Sequence, residues 1–152
     1  EDDSTSVEIE LRDLKDILDD VVIGDHAEFH TEQTAEGFFE GYTVTIERFI
    51  SDRVLGKIME YNNKARLNAK KSFKPIEISE EGLELIEFLS VDCTASEGEW
   101  HSDSEIKIDK LGYVIHNGNK TKLFWDGCIR ADKQPLRLKI RNICGDETIW
   151  KV

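Results

Sequence analysis

The sequence predicts an α+β fold, with an N-terminal helix-containing half packed on a mostly antiparallel, sandwich-like β C-terminal half. Three observations carry the prediction. Apolar residues recur at helical spacing behind Ser51-Asp52. From Trp100 onward short alternating runs are punctuated by Asn117-Gly118, Asp126-Gly127 and Gly145-Asp146. Strand-like runs follow the helical run instead of alternating with further helices, which argues against a wound parallel sheet. The chain has 152 residues, 39% of them hydrophobic, with three Trp. That suits one domain over residues 1–152, divisible into a mixed half (1–75) and a β-rich half (76–152).

Taken in order, residues 1–6 read as a lead-in without structure. Leu11, Leu14, Ile17, Leu18, Val21 and Val22 then recur at steps of three and four, the spacing of a short amphipathic helix that Gly24-Asp25 ends. Ala27 to Gln33 reads as a strand anchored by Phe29. Gly37 and Gly41 bracket Phe38-Phe39. Tyr42, Val44 and Ile46 alternate with Thr43, Thr45 and Glu47, which is a strand rich in β-branched residues.

Ser51-Asp52 supplies a hydroxyl to cap free amides and an acid to meet the helix dipole. The helix is predicted over 52–69, with Val54, Ile58, Tyr61 and Ala65 on one face and Leu55 and Met59 beside it. Gly56 is a weak point in it. Ile76 and Ile78 suggest a short strand. Leu83 to Val91 is apolar on both faces, as a buried strand or a short helix would be. Ile106 and Ile108 alternate with Lys107 and Asp109. Tyr113 and Ile115 lead into Asn117-Gly118, the dipeptide of a tight hairpin. Leu123 to Trp125 follow. In the last predicted strand Leu136, Leu138 and Ile140 alternate with Arg137, Lys139 and Arg141.

The net charge of −12 is unevenly spread. Residues 1–40 hold 14 acids against Arg12 and Lys15, whereas residues 41–152 hold 18 acids and 18 bases. Residues 117–152 hold eight bases and four acids, so that end can still face phosphate. No apolar run approaches the ~20 residues of a membrane span, and no secretory signal is present. Cys93, Cys128 and Cys144 are odd in number and widely spaced, which predicts reduced, mostly buried thiols and a cytoplasmic location. The chain begins EDDSTS with no Met, and reads as a piece of a longer polypeptide.

No glycine-rich phosphate cradle and no nucleophile elbow appears. His26, His30, His101 and His116 lack the spacing of a metal site. Glu97, Glu99, Asp103 and Glu105 lie close together but lack the ligand order of a calcium loop. The basic residues remain. Lys64, Arg66, Lys70, Lys71 and Lys74 gather at the predicted helix end, where the dipole also favours cations. Arg137, Lys139 and Arg141 form a row spaced about 6.5–7 Å along one strand face. Such a row can follow DNA phosphates, and it is equally the ordinary wet face of a sheet. These eight cations are the candidate phosphate contacts. No catalytic residue and no metal ligand is assigned.

Three segments add a resemblance: Glu87-Phe88-Leu89-Ser90-Val91-Asp92, Gly98-Glu99-Trp100-His101-Ser102, and the closing run from Leu138 to Thr148. Together, over residues 83–148, they resemble the region C-terminal to the catalytic core in bacterial adenine-specific DNA methyltransferases of the type III restriction–modification kind. The endings look like an immunoglobulin-type β-module. The match covers under half the chain. Such enzymes carry an Asp-Pro-Pro-Tyr motif for the target amine and a Phe-x-Gly-x-Gly motif for S-adenosylmethionine. Neither is present here, where the only prolines are Pro75 and Pro135. The resemblance therefore implies a non-catalytic accessory domain that holds no cofactor itself, the S-adenosylmethionine belonging to the parent enzyme. Its implied partners are DNA, the remainder of the methyltransferase or a restriction subunit, and no membrane. The alternative is a protein-interaction module acting through the acidic 1–40 segment, with no nucleic-acid role.

Overall fold

A computed structural model of the protein describes residues 25–36, 39–68 and 74–152. Among the described residues the fold is mainly antiparallel β with one α-helix. The strands are β1 (His26–Glu36), β2 (Phe39–Ile50), β3 (Ile86–Asp92), β4 (Ser104–Ile108), β5 (Tyr113–His116), β6 (Asn119–Leu123), β7 (Cys128–Ala131), β8 (Arg137–Asn142) and β9 (Glu147–Lys151). Helix α1 (Asp52–Asn68) follows β2, and one 3-10 turn (Leu83–Leu85) precedes β3. The predicted helix near 11–22, Gly37-Phe38, Lys70 and Lys71 lie outside the described residues.

Two sheets form. The smaller has the order β1-β2-β7 and the larger the order β6-β5-β4-β3-β8-β9, with every pairing antiparallel. Val44, Ile46, Ile129 and Ala131 from the first share one buried cluster with Leu89, Val91, Ile106, Val114, Leu138 and Ile140 from the second. Burial of these side chains, each worth roughly 1.5–3 kcal/mol when fully withdrawn from water, holds the sheets together. Because β7 pairs with β2, the C-terminal half completes the sheet begun by the N-terminal half. The two halves share a sheet as well as a core.

Helix α1 starts where the sequence predicts, and the Val54 amide donates to Ser51 Oγ at 3.3 Å. Its apolar face is used only near the start. Val54 is buried and Ile58 half-buried, while Met59, Tyr61 and Leu67 are exposed. Of the predicted face, Val54 and Ile58 reach the core, whereas Tyr61 and the neighbouring Met59 stay in solvent.

Ile76 and Ile78 form no strand. The Asn62 side chain donates to the Ile76 carbonyl at 3.1 Å and accepts its amide at 2.9 Å, so a helix side chain takes the place of a neighbouring strand. The two-faced run Leu83 to Val91 resolves into the 3-10 turn and then β3. Gly82 (φ +68) makes this possible, since a Cβ there would collide with the Phe49 carbonyl oxygen. At the β5–β6 hairpin Asn117 and Gly118 both have positive φ (48° and 86°), the geometry of a type I′ turn. The expected Leu123–Trp125 strand stops at Leu123, because Phe124 turns to φ +68. Strands β7 and β9 were not anticipated; each is short and follows a Gly-containing turn.

Candidate functional site

The cationic strand is the natural place to begin. In β8 the apolar alternation sends Leu138 and Ile140 into the core, so Arg137, Lys139 and Arg141 face the opposite side of the larger sheet. That side is not open water. Strand β3 lies alongside, with Asp92 opposite Arg137, Ser90 opposite Lys139 and Phe88 opposite Arg141. The segment between β3 and β4 then folds back over these pairs and lays Trp100 on them.

Each cation finds a partner there. Arg137 is buried and donates from Nε and Nη2 to Asp92 Oδ2 at 3.0 and 2.8 Å. Its remaining donors reach the Gly98 and Glu99 carbonyls at 3.0 and 2.6 Å. The Trp100 ring is flanked by Arg137 at 4.8 Å and Lys139 at 4.5 Å, while its indole N–H donates to Ser90 Oγ. Cation–π contacts of this kind are worth ~0.5–2 kcal/mol, more where water is excluded. Arg141 lies over the Phe88 ring, donates to Glu87 Oε1 at 2.8 Å and sits 3.6 Å from Glu147.

Asp92 is the hub of this arrangement. Burial penalises its charge, but amides of Ala95, His101 and Thr94 and the Arg137 guanidinium donate to it. Together they hold its carboxyl well below the usual range. The expected wet cationic row is corrected accordingly. Arg137 is withdrawn from solvent, and Lys139 and Arg141 are partly covered and charge-compensated. Alternation locates the face correctly, but it carries no information about a distant loop folding over that face.

The helix-end cluster presents differently. Lys64, Arg66 and Lys74 are all exposed, with Lys64 beside Glu60 at 3.2 Å. Arg66 and Lys74 form no ion pair with another described residue.

The acidic run 97–105 is put to structural use. Glu97 pairs with Lys151, and Asp103 accepts the Cys93 amide and the Thr94 hydroxyl. His30 lies between Glu32 and Glu47, and His116 against Ser104. Among the described residues no three His, Cys, Asp or Glu side chains converge as a metal would require. The three cysteines are free and half-buried.

Missed at the level of sequence were Asp92 and Trp100 as the partners of the basic strand. The available signal was an acid, Asp92, directly after the buried-strand pattern of Leu85–Val91. No family model, no curated protein and no solved structure matches the chain.

Proposed function

We propose that the chain is a non-catalytic, sandwich-like accessory domain of a cytoplasmic adenine-specific DNA methyltransferase. In this role it positions the enzyme on DNA or against a partner subunit. One observation carries the reading. The residues on which the resemblance rests are those that lock the larger sheet: Phe88, Ser90 and Asp92 on β3, Trp100 in the covering segment, and the strand from Leu138 into the Gly145-Asp146 turn. The resemblance thus falls on a connected structural unit, which is what a shared domain requires and what scattered chance matches would lack.

The geometry supports an uneven division of DNA contact. With Arg137 buried against Asp92, and Lys139 and Arg141 compensated, phosphate contact falls to the exposed Lys64, Arg66 and Lys74, with Lys70 and Lys71 assigned to the same role from the sequence alone. Contacts to phosphate would orient the domain without reading sequence. S-adenosylmethionine and the target base belong to the parent's catalytic portion.

The test is fluorescence anisotropy of a labelled duplex titrated with the chain across a salt series. Affinity should fall steeply with salt, and Arg66→Ala with Lys74→Ala should reduce the log–log slope by about 2. Absence of binding at low salt, or an unchanged slope in the double variant, would overturn the DNA-contact reading. The interaction-module alternative, through the acidic N-terminal segment, would then take its place.

A further inference from the structure

The larger sheet ends, on its β4–β6 side, in an apolar cleft of about 450 Å³ that the locked β3–β8 face does not use. Its floor is Leu83, Ile86, Ile108 and Trp125. Two large apolar side chains stand beside it in open solvent: Phe124, which lines it, and Leu111, which lies between the lining residues Lys110 and Gly112. Each is 75% exposed.

Neither is a loose side chain on a mobile tip. Phe124 is held at φ +68, a conformation unfavourable for a non-glycine residue, and its amide donates to the Gly112 carbonyl at 3.1 Å. Leu111 is placed by Asp109, whose Oδ1 accepts the Leu111 and Tyr113 amides, both at 2.9 Å. Strained backbone of this kind clusters at ligand clamps and other functional sites, and exposed aromatics are the residues that anchor interfaces.

The rim supplies the charge. Glu81, Glu84 and Asp109 line the cleft with one lining cation, Lys110, and Lys120 approaches Asp109 from outside it at 3.9 Å. Glu81 also lines a second, neighbouring depression, together with Glu28, Glu47, Glu80 and Arg48. An apolar floor with an acidic border is complementary to one kind of protein segment, an apolar anchor flanked by lysine or arginine.

We infer that this cleft docks a short cationic–apolar segment of a partner protein, with Phe124 as its fixed anchor. The inference does not depend on the methyltransferase reading and uses none of the helix-end cations. Duplex binding and peptide binding therefore fail or succeed separately.

The probe is a fluorescein-labelled peptide with a leucine-phenylalanine-leucine core between two lysine pairs, compared with the same core between glutamate pairs. Anisotropy should show the lysine peptide binding, with affinity falling as salt rises, and the glutamate peptide binding at least about tenfold more weakly. Phe124→Gly removes the anchor while relieving the positive φ, so this variant should melt no lower than the parent chain yet bind the lysine peptide about tenfold more weakly. Glu81→Lys should weaken the same peptide without affecting melting. Equal binding of the two peptides, or undiminished binding by Phe124→Gly, would overturn the inference. So would a dimer seen by sedimentation velocity that Phe124→Gly abolishes, since the face would then belong to a second copy of this chain.

Discussion

Asp92 and Arg137 stand directly opposite each other across β3 and β8, with side chains 0% and 6% exposed. Every polar atom of the pair is engaged: the carboxylate by three backbone amides and the guanidinium, the guanidinium by the carboxylate and two loop carbonyls. A buried ion pair is not in itself strong evidence for stability, because desolvation offsets much of the attraction. Removing one partner is different, since it strands the other charge without water. Arg137→Met should cost about 3–5 kcal/mol, a fall in Tm on the order of 10 °C. Replacing both partners by apolar residues should cost less than the sum of the single changes. A double-mutant cycle by urea denaturation measures this, and strict additivity would show that the pair does not act as a unit.

The same pair sets a pH dependence. The folded-state pKa of Asp92 lies below its unfolded value, so the folded protein favours the ionised form. The associated stability is fully present above the unfolded pKa, about 4, and is lost as the pH falls below it. Glu84 and Asp126 move the same way. Burial opposes their charge too, but Ser79 for the first, and Lys122 with the Cys128 amide for the second, outweigh it. Melting temperature should therefore decline as the pH drops from 5 toward 3 (on the order of one pH unit either side of that unfolded value). In Asp92→Asn the deficit at neutral pH should narrow across that range. A deficit that is constant with pH would mean that Asp92 does not carry the charge in the folded state.

The pairing also explains which parts of the molecule were legible in the sequence. Strand β8 and its two faces follow from alternation alone, because Leu138 and Ile140 need a core and the intervening cations do not. The hairpin at Asn117-Gly118 follows from the need for two positive φ values. Local rules do not contain what lies across from a strand. That Asp92 meets Arg137 is set by a register 45 residues away in sequence, and Trp100 reaches the pair only because the segment after β3 folds back. Helix α1 was legible in extent but not in burial, since the periodicity that marks an apolar face says nothing about how far a neighbouring sheet extends beneath it. The cleft beside Phe124 had no local signal, because its floor comes from residues on both sides of β3 and from the segment after β6.

Cys93 follows β3 directly and shares the loop with Asp92 and Asp103. Partial burial, and then the charges of those two aspartates, push its thiol up to about 11. Its Sγ lies 3.3 Å from the Lys133 carbonyl. The thiolate is the reactive form, so at pH 7.5 (~3.5 units below that value) only on the order of one molecule in 3,000 carries it. Mass-spectrometric mapping of iodoacetamide labelling should find Cys93 almost unmodified at that pH, with labelling rising steeply above pH ~10 or on unfolding in urea. Rapid labelling of the native protein at neutral pH would contradict the acidic, half-buried setting. Asp103→Asn should make Cys93 more reactive by removing the charge with the larger effect of the two.

Asn142, at the end of β8, joins three elements at a fully buried position. Its amide nitrogen donates to Asp25 at 2.7 Å, just before β1, and lies 3.3 Å from both Ser51, which caps α1, and Asp146 in the β8–β9 turn. Its carbonyl oxygen accepts the Cys144 and Asp146 amides. Only a side chain with both donors and acceptors satisfies this site. Asn142→Asp keeps the shape but removes the donors, placing a buried carboxylate against two others. The expected loss is about 3 kcal/mol or more at neutral pH. Like-charge repulsion and burial raise the pKa of the introduced acid when folded, so the penalty should shrink as the pH falls and the acid takes up a proton. Thermal melts at pH 7.5 and 4.5 (about three pH units apart, spanning a raised carboxyl pKa) distinguish the outcomes. A deficit that halves or more at the lower pH places the side chain against Asp25 and Asp146, and one that stays constant separates it from them.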